Sequence, residues 1–333
     1  MTFTFNKSII SPHFTVYIYT PKEGTFLTKI FIDGSAGTTG LRIHERLLDR
    51  SDIQLITLSE ENRKDTAARK AALNEADIAF LCLPDAAAVE AVSLIENNKT
   101  AVIDTSTAHR TAADWIYGFA ELPGQREKIK NAKRIANPGC HASGFVALIA
   151  PLTKAGLIGK DACLSCFSLT GYSGGGKKMI AEYEDTELDV LLDAPRQYAL
   201  GQQHKHLPEM MHLCALENAP AFCPVVGSFY SGMEVTVPLF ANQCKGTAAD
   251  IAQIYKTLYN GPIVRFVQET TEGGFLSAGA LSDNDGMEIS IHGNEERILL
   301  TARFDNLGKG ASGAAIQNMN ILLGTDETCG LNL

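Results

Sequence analysis

A single cysteine stands in RIANPGCHASGF, residues 134–145, between an Asn-Pro-Gly turn and a run of small and apolar residues. The stretch after Cys140, ASGFVALIAPL, reads as a helix beginning at or just after the sulfur. A thiol at a helix N-terminus meets the positive end of the dipole, which favours its thiolate. Gly139 permits an unusual backbone angle, Asn137 offers an amide, and the amides around 140–142 can hold an oxyanion. The same stretch also fits a packed structural cysteine, the usual fate of that residue. By itself it leaves both readings open.

A nucleophilic cysteine needs a base. Of the eight histidines, His204 and His206 stand together in HKHLPEM, two apart, and so share a face of an extended segment. Pro208 disfavours helix for the residue before it, which predicts such an extended stretch. A metal reading of HxH wants further ligands, and only Glu209 is near, so no metal is expected. An acid/base role for one imidazole, with Glu209 as a possible orienting carboxylate, is more economical.

Four segments have the chemistry to hold anions. GSAGTTG places Gly34, Gly37 and Gly40, with Thr38 and Thr39 between them, directly after a predicted strand and before a helix. That order suits a tight turn, close backbone approach to a pyrophosphate, and helix amides aimed at it. The second strand ends at Leu58-Ser59, with Arg63 and Lys64 shortly after. A hydroxyl and two cations suit a 2′-phosphate, so NADP(H) is expected over NAD, although Glu60 and Glu61 also fit a solvated helix start. Arg110, in IDTSTAHR after another strand, can clamp a phosphate or carboxylate, or it is a plain surface arginine. GYSGGGKK, with Lys177, either wraps an anionic substrate or is a flexible connection.

Elements that would position these residues follow from the apolar rhythm. KIFID, IQLITLS, ADIAFLCLP, AVIDTS and KRIAN are near-continuous apolar strands alternating with helices. That predicts a parallel sheet covered on both faces, an α/β doubly wound Rossmann domain. After about residue 160, LSCFSLT, MEVTVPLF, IVRFVQE, MEISIHG and RILLTARF predict an α+β domain with a mostly antiparallel sheet. GTAADIAQIYKTLYNG and GKGASGAAIQNMNILLG read as helices, the latter with apolar residues at 316, 319, 322 and 323.

With 333 residues, 45% of them hydrophobic, the chain is long enough for two domains with real cores. A net charge of −9 argues against nucleic acid as partner, and no apolar stretch approaches the ~20 residues that span a bilayer. Eight scattered cysteines suggest reduced thiols in a cytoplasm, and the lone CxxC at Cys163 and Cys166 has no second pair to make a metal set. Residues 1–28 have no acidic residue before Glu23 and no arginine. They read as a loosely ordered extension or an early start codon, not a secretory signal.

GSAGTTG, IDTSTAHRT, NPGCHASGF, GYSGGGKK, HKHLPEM and DNLGKGASGAAIQNMN follow one another in the order and spacing of a known family. From about Lys29 to the C-terminus the chain resembles the shorter form of the N-acetyl-γ-glutamyl-phosphate reductases, within the aspartate-semialdehyde dehydrogenase-like superfamily. The resemblance implies NADPH-dependent reduction of N-acetyl-L-glutamyl 5-phosphate in arginine biosynthesis. It implies Cys140 as nucleophile and His204 as acid/base, with His206 the lesser candidate. Tyr198 also fits the family pattern, and Arg110 matches the arginine expected near the substrate phosphate. Lys177 and Glu209 join them as substrate-binding candidates. The last helix would return to the nucleotide domain and bring Gln317 and Asn318 towards the nicotinamide. The division expected is an extension over 1–28, a nucleotide domain over 29–139 completed by 311–333, and a catalytic and oligomerisation domain over 140–310. A cytoplasmic homodimer or homotetramer is expected. The rival readings are a sister reductase of aspartyl or aminoadipyl phosphate and, in another class, a non-catalytic nucleotide sensor.

Overall fold

The computed structural model describes residues 27–187, 189–268 and 270–333; the expected N-terminal extension lies, up to residue 26, outside them. β1 (Thr28–Asp33), β2 (Ile53–Ile56), β3 (Ile78–Leu81), β4 (Ala101–Asp104), β5 (Ile116–Tyr117) and β6 (Arg134–Ala136) form one sheet. Its order is β2-β1-β3-β4-β6-β5, and every pairing is parallel. The helices between them are α1 (Thr38–Leu47), α2 (Thr66–Glu75), α3 (Asp85–Ser93) and α4 (Gln125–Lys130). The chain runs from β1 to β2 on one side and then to β3 on the other. The crevice beyond the ends of β1 and β3 is therefore a topological switch point, where such sheets hold ligands. The glycine turn lies there.

α5 (Cys140–Lys154) leads into the second unit: β7 (Ser165–Gly171), α6 (Gly176–Tyr183), β8 (Arg196–Gln197), α7 (Leu207–Cys214), β9 (Ala221–Gly227) and β10 (Met233–Phe240). α8 (Ala248–Leu258), β11 (Val264–Phe266), β12 (Met287–Gly293) and β13 (Arg297–Phe304) complete it. The sheet order is β11-β12-β13-β10-β7-β9-β8. Only β7 with β9 and β11 with β12 pair in parallel; the other pairings are antiparallel. α5 lies on this sheet and is buried continuously from His141 to Leu152. Each large apolar side chain it buries there is worth about 1.5–3 kcal/mol. Gly144 lets the helix approach the sheet: a Cβ there would stand 2.5 Å from Val235 Cγ2 and 3.1 Å from the Phe304 ring.

A π-helical turn over Gly308–Ser312 then feeds α9 (Gly313–Leu323), which returns against α1, α4 and β4. α9 is buried on every side from Gly313 to Ile321, while Leu322 and Leu323 are only partly covered. No helix among the described residues is long and apolar enough to cross a membrane.

Three local expectations change. HKHLPEM is not extended: a turn over 204–206 enters α7, and Pro208 occupies its first turn, where a missing N–H costs nothing. GYSGGGKK is not a bare loop but a 3₁₀ turn, Tyr172–Gly175, followed by α6. The second strand ends at Ile56, three residues before Ser59.

Candidate active site

Two glycines of GSAGTTG, Gly34 and Gly40, answer separate steric demands. Gly34 has φ +89°, and a Cβ on it would overlap the Cys82 carbonyl of the neighbouring strand end. A Cβ on Gly40 would overlap the Gly34 carbonyl, so the helix can close on its own turn only without one. Gly37 caps α1 with no side chain, which leaves the first helical amides open to an anion. Gly34 and Gly37 line a cavity of about 650 Å³ that continues past Thr57 and Leu58 to Arg63 and Lys64. Its floor holds a buried ion pair, Arg69 Nε to Asp33 Oδ2 at 3.0 Å, between α2 and the end of β1. The shape, the cradle a Cβ would fill and the cations fit a phosphorylated dinucleotide.

Thr38 and Thr39, on the same helix start, face a second cavity of about 400 Å³ that contains Cys140, Arg110, Tyr198, His204 and His206. Cys140 is the first residue of α5. Gly139 before it is wedged: a Cβ would overlap Arg110 Nη1 and lie 2.5 Å from His206 Nε2. Arg110 is fixed by three donated hydrogen bonds, Nε to the Asn137 carbonyl, Nη2 to the Thr105 carbonyl and Nη1 to Glu209 Oε2, each 3.0 Å. A guanidinium carries five N–H groups, so two remain for a ligand. Glu209, 1% exposed, also accepts from the Tyr117 hydroxyl at 2.6 Å and from the Gly139 amide at 2.8 Å. Its carboxylate thus clamps the turn that presents Cys140, and among the described residues no hydrogen bond joins it to His204 or His206.

Protons sit on sulfur and off the imidazoles in this arrangement. Burial pushes the Cys140 thiol up, although its surface still opens to the cavity; the Arg110 charge, the His141 amide and the Lys205 charge act the other way. Burial lowers His204 to about 4, with help from Lys205, and lowers His206 far below its ordinary value, with Arg110 the next cause. His204 Nδ1 accepts the His206 backbone N–H at 3.3 Å, which leaves its ring proton on Nε2. His206 Nδ1 is buried without a partner, and its Nε2 stands over Gly139. No hydrogen bond joins the Cys140 sulfur to either ring among the described residues.

Known proteins carry the same arrangement of parts. Residues 29–132 match the family model described as semialdehyde dehydrogenase, NAD binding domain, and residues 140–306 match semialdehyde dehydrogenase, dimerisation domain. N-acetyl-gamma-glutamyl-phosphate reductases of Brucella ovis and Brucella abortus are 47% identical over 307 residues, covering 89% of this chain and 99% of theirs. The chain belongs to the N-acetyl-gamma-glutamyl-phosphate reductase family. Aspartate semialdehyde dehydrogenase II of Vibrio cholerae, solved with ASA, shares the fold at TM-score 0.70 and 15% identity, covering 90% of this chain and 99% of that one. The Candida albicans aspartate semialdehyde dehydrogenase with NADP superposes at TM-score 0.62 and 15% identity, covering 90% of this chain and 99% of that one. A member of this reductase family is an oxidoreductase with an NAD(P)-binding domain and a dimerisation domain, and this chain carries both.

Several residues singled out in the sequence lie elsewhere than their assigned roles suggest. Lys177 is exposed and lines the larger, glycine-turn cavity, not the one around Cys140. Gly40 lines neither cavity and serves the packing of the turn. Ser59 is exposed outside the cleft, its carbonyl accepting from Arg63 N at 2.9 Å, and Thr57 takes the position on the wall. Arg63 is on that wall with Nε 2.7 Å from Glu60 Oε2. Asn318 is fully buried and lines neither cavity; its amide donates to the Gly118 carbonyl at 2.9 Å and to Asn137 Oδ1 at 3.2 Å. His141, which the sequence reading passed over, is buried beside Cys140 with Tyr198 on one side and Ser168 on the other.

Proposed function

We propose that this chain reduces N-acetyl-L-glutamyl 5-phosphate to N-acetyl-L-glutamate 5-semialdehyde and phosphate, with NADPH as reductant and Cys140 as the acyl carrier. The observation that carries the reading is one contact of geometry. Gly37 lines the nucleotide cavity, and Thr38 and Thr39, the next two residues of the same turn, line the cavity holding Cys140. A dinucleotide with its phosphates at Gly34–Gly37 would have its far end directed towards the cavity of Cys140. Arg63, Lys64 and Lys177 favour a cofactor carrying the extra phosphate.

The Cys140 sulfur attacks the acyl carbon, the S–C bond forms, and the C–O bond to phosphate breaks. The thiol proton passes through an imidazole to the departing phosphate. We assign that ring to His206 rather than His204, because His204 Nδ1 is already engaged and His206 Nε2 is unengaged beside the turn. Arg110 offers its two spare N–H groups to the phosphate. The glycine turn, Arg63 and Lys64 would hold NADPH in the larger cavity, where it would be the source of hydride for the thioester. The amides at the start of α5 hold the resulting oxyanion. With that proton gone to phosphate, the ring takes one from solvent and gives it to sulfur as the C–S bond breaks, so one proton is consumed per turnover.

The chain is further proposed to act in the cytoplasm as a homodimer or homotetramer. The outer face of the second sheet, where Phe167 is 52% and Leu299 39% exposed, is the surface that assembly would cover. The test is phosphate-dependent NADP⁺ reduction by the purified protein with N-acetylglutamate semialdehyde. Activity is expected there, lost in Cys140→Ala and reduced about 10²-fold or more in His206→Asn. Preference for aspartate semialdehyde would overturn the substrate, and a near-normal Cys140→Ala rate would overturn the thioester.

A further inference from the structure

Ser168 on β7, His141 in the first turn of α5 and Tyr198 just after β8 form a polar chain that the steps above leave unused. His141 Nδ1 lies 2.6 Å from Ser168 Oγ, and His141 Nε2 lies 2.6 Å from Tyr198 Oη. Ser168 is 0% exposed and His141 3%. Neither hydroxyl has another hydrogen-bond partner among the described residues.

Two proton arrangements fit those contacts. In one, Tyr198 donates to Nε2 and Nδ1–H donates to Ser168, whose own proton is then buried with no acceptor. In the other, Ser168 donates to Nδ1 and Nε2–H donates to Tyr198 Oη, and every buried donor is used. An unmade hydrogen bond costs a buried hydroxyl its full desolvation, so the second arrangement prevails. Both need a neutral ring, and burial lowers His141 to about 3. The second arrangement leaves one proton unassigned within the protein, that of the Tyr198 hydroxyl, on the wall shared with Cys140. Burial, then repulsion from the Cys140 charge, keeps that phenol protonated well beyond its ordinary range.

We propose that Tyr198 is a catalytic hydrogen-bond donor to the acyl oxygen as that oxygen gains negative charge, and that Ser168 and His141 are positioning residues that turn its proton into the cavity. The inference rests on the thioester reading given above. It also predicts which changes are tolerated. A glutamine at 141 keeps an N–H near the place of Nε2, whereas a leucine removes the donor and frees the phenol to turn away.

The experiment measures steady-state NADP⁺ reduction with semialdehyde and phosphate for Tyr198→Phe, His141→Leu, His141→Gln and the Tyr198→Phe/His141→Leu pair. Tyr198→Phe is expected to lower kcat by about 10²-fold, the scale of one lost oxyanion donor, with little change in the semialdehyde KM. His141→Leu is expected to lose part of that, His141→Gln to recover most of it, and the pair to lose no more than Tyr198→Phe alone. A Tyr198→Phe enzyme within about twofold of the parent kcat, or losses that multiply in the pair, overturns the proposal. NADP⁺ affinity, read by fluorescence titration, should not move in any variant; a parallel loss there makes the role structural and overturns it too. Should the parent enzyme prefer another semialdehyde, the same ratios are taken with that substrate, so the two readings fail separately.

Discussion

Cys140 begins a helix and faces Arg110 and Lys205, three influences that favour a thiolate, yet burial outweighs them and leaves the proton on sulfur. His206, the ring proposed above to take that proton, is pushed the opposite way by the same burial. A sulfur and an imidazole displaced in opposite directions do not form an ion pair at rest, unlike the thiolate–imidazolium pairs of some cysteine enzymes. On the mechanism proposed above, reactivity waits for the substrate, whose departing phosphate takes the thiol proton through that ring. This has a direct readout in the ligand-free protein. Alkylation of Cys140 by iodoacetamide should rise with pH across the neutral range and level off only above about pH 9, since the native thiol lies above its ordinary value. A fast rate already flat between pH 6 and 8 would show a preformed thiolate and sink this account of the resting site. The place of Cys140 at the start of a helix was legible in the sequence, but its proton state was not. That state depends on Arg110 and Glu209, which meet it from 30 and 69 residues away.

Among the elements, those with a plain alternating pattern were legible to the residue. MEVTVPLF, MEISIHG and RILLTARF are strands over the very residues quoted, because one face of each packs on α5 or α8; only in MEVTVPLF does burial alternate along nearly the whole strand. AFCPVVG was not legible, since Pro224 breaks the look of a strand; it survives in β9 beside the two-residue strand β8. HKHLPEM misled for the related reason that proline is as welcome in a first helical turn as in an extended segment. Asn318 fell on a helix whose every side is buried, so no periodicity told which side chains would face a cavity. α5 is the element on which the site depends, since its first turn holds Cys140 and His141 and its body lies on the sheet. Gly144→Val tests that dependence. The added atoms would meet Val235 Cγ2 at 2.5 Å and Val235 Cβ at 2.7 Å, a stiff β-branched neighbour on β10. Overpacking of this kind costs about 1–3 kcal/mol, and the helix can relieve it only by moving away with Cys140. Urea unfolding should show the loss and kcat should fall with it; unchanged stability would mean that α5 is not held by this contact.

At the scale of the molecule, the chain ends by returning to where it began, and its two sheets meet around groups that avoid charge. Lys309 is fully buried with Nζ 2.8 Å from Glu121 Oε2, and Arg50 Nη1 donates to Asn320 Oδ1 at 2.9 Å, so α9 and the turn before it lock onto the nucleotide unit. Between the units, three imidazoles cluster with ring centroids 4.8–5.5 Å apart: His141, His204 and His206. Burial is the leading cause that depresses all three, His141 to about 3 and His204 to about 4. In the unfolded chain each would titrate near 6.5. Above that value neither state binds the proton and the cluster makes no pH-dependent difference. As pH falls from about 6.5 towards the native values, the unfolded chain takes up protons that the native site refuses, so stability falls with acid. Each ring adds up to about 1.4 kcal/mol per pH unit within its window, with a smaller share for the half-exposed His204. Urea midpoints should therefore hold steady from pH 8 to 7 and drop progressively from pH 6.5 to 4.5. His141→Gln, which keeps an N–H for Tyr198 and removes one titrating group, should flatten that slope. A midpoint that does not move across the acid range, or a slope indifferent to His141→Gln, would mean that the cluster accepts protons in the native state, and its rings would then be charged where the proposed chemistry needs them neutral.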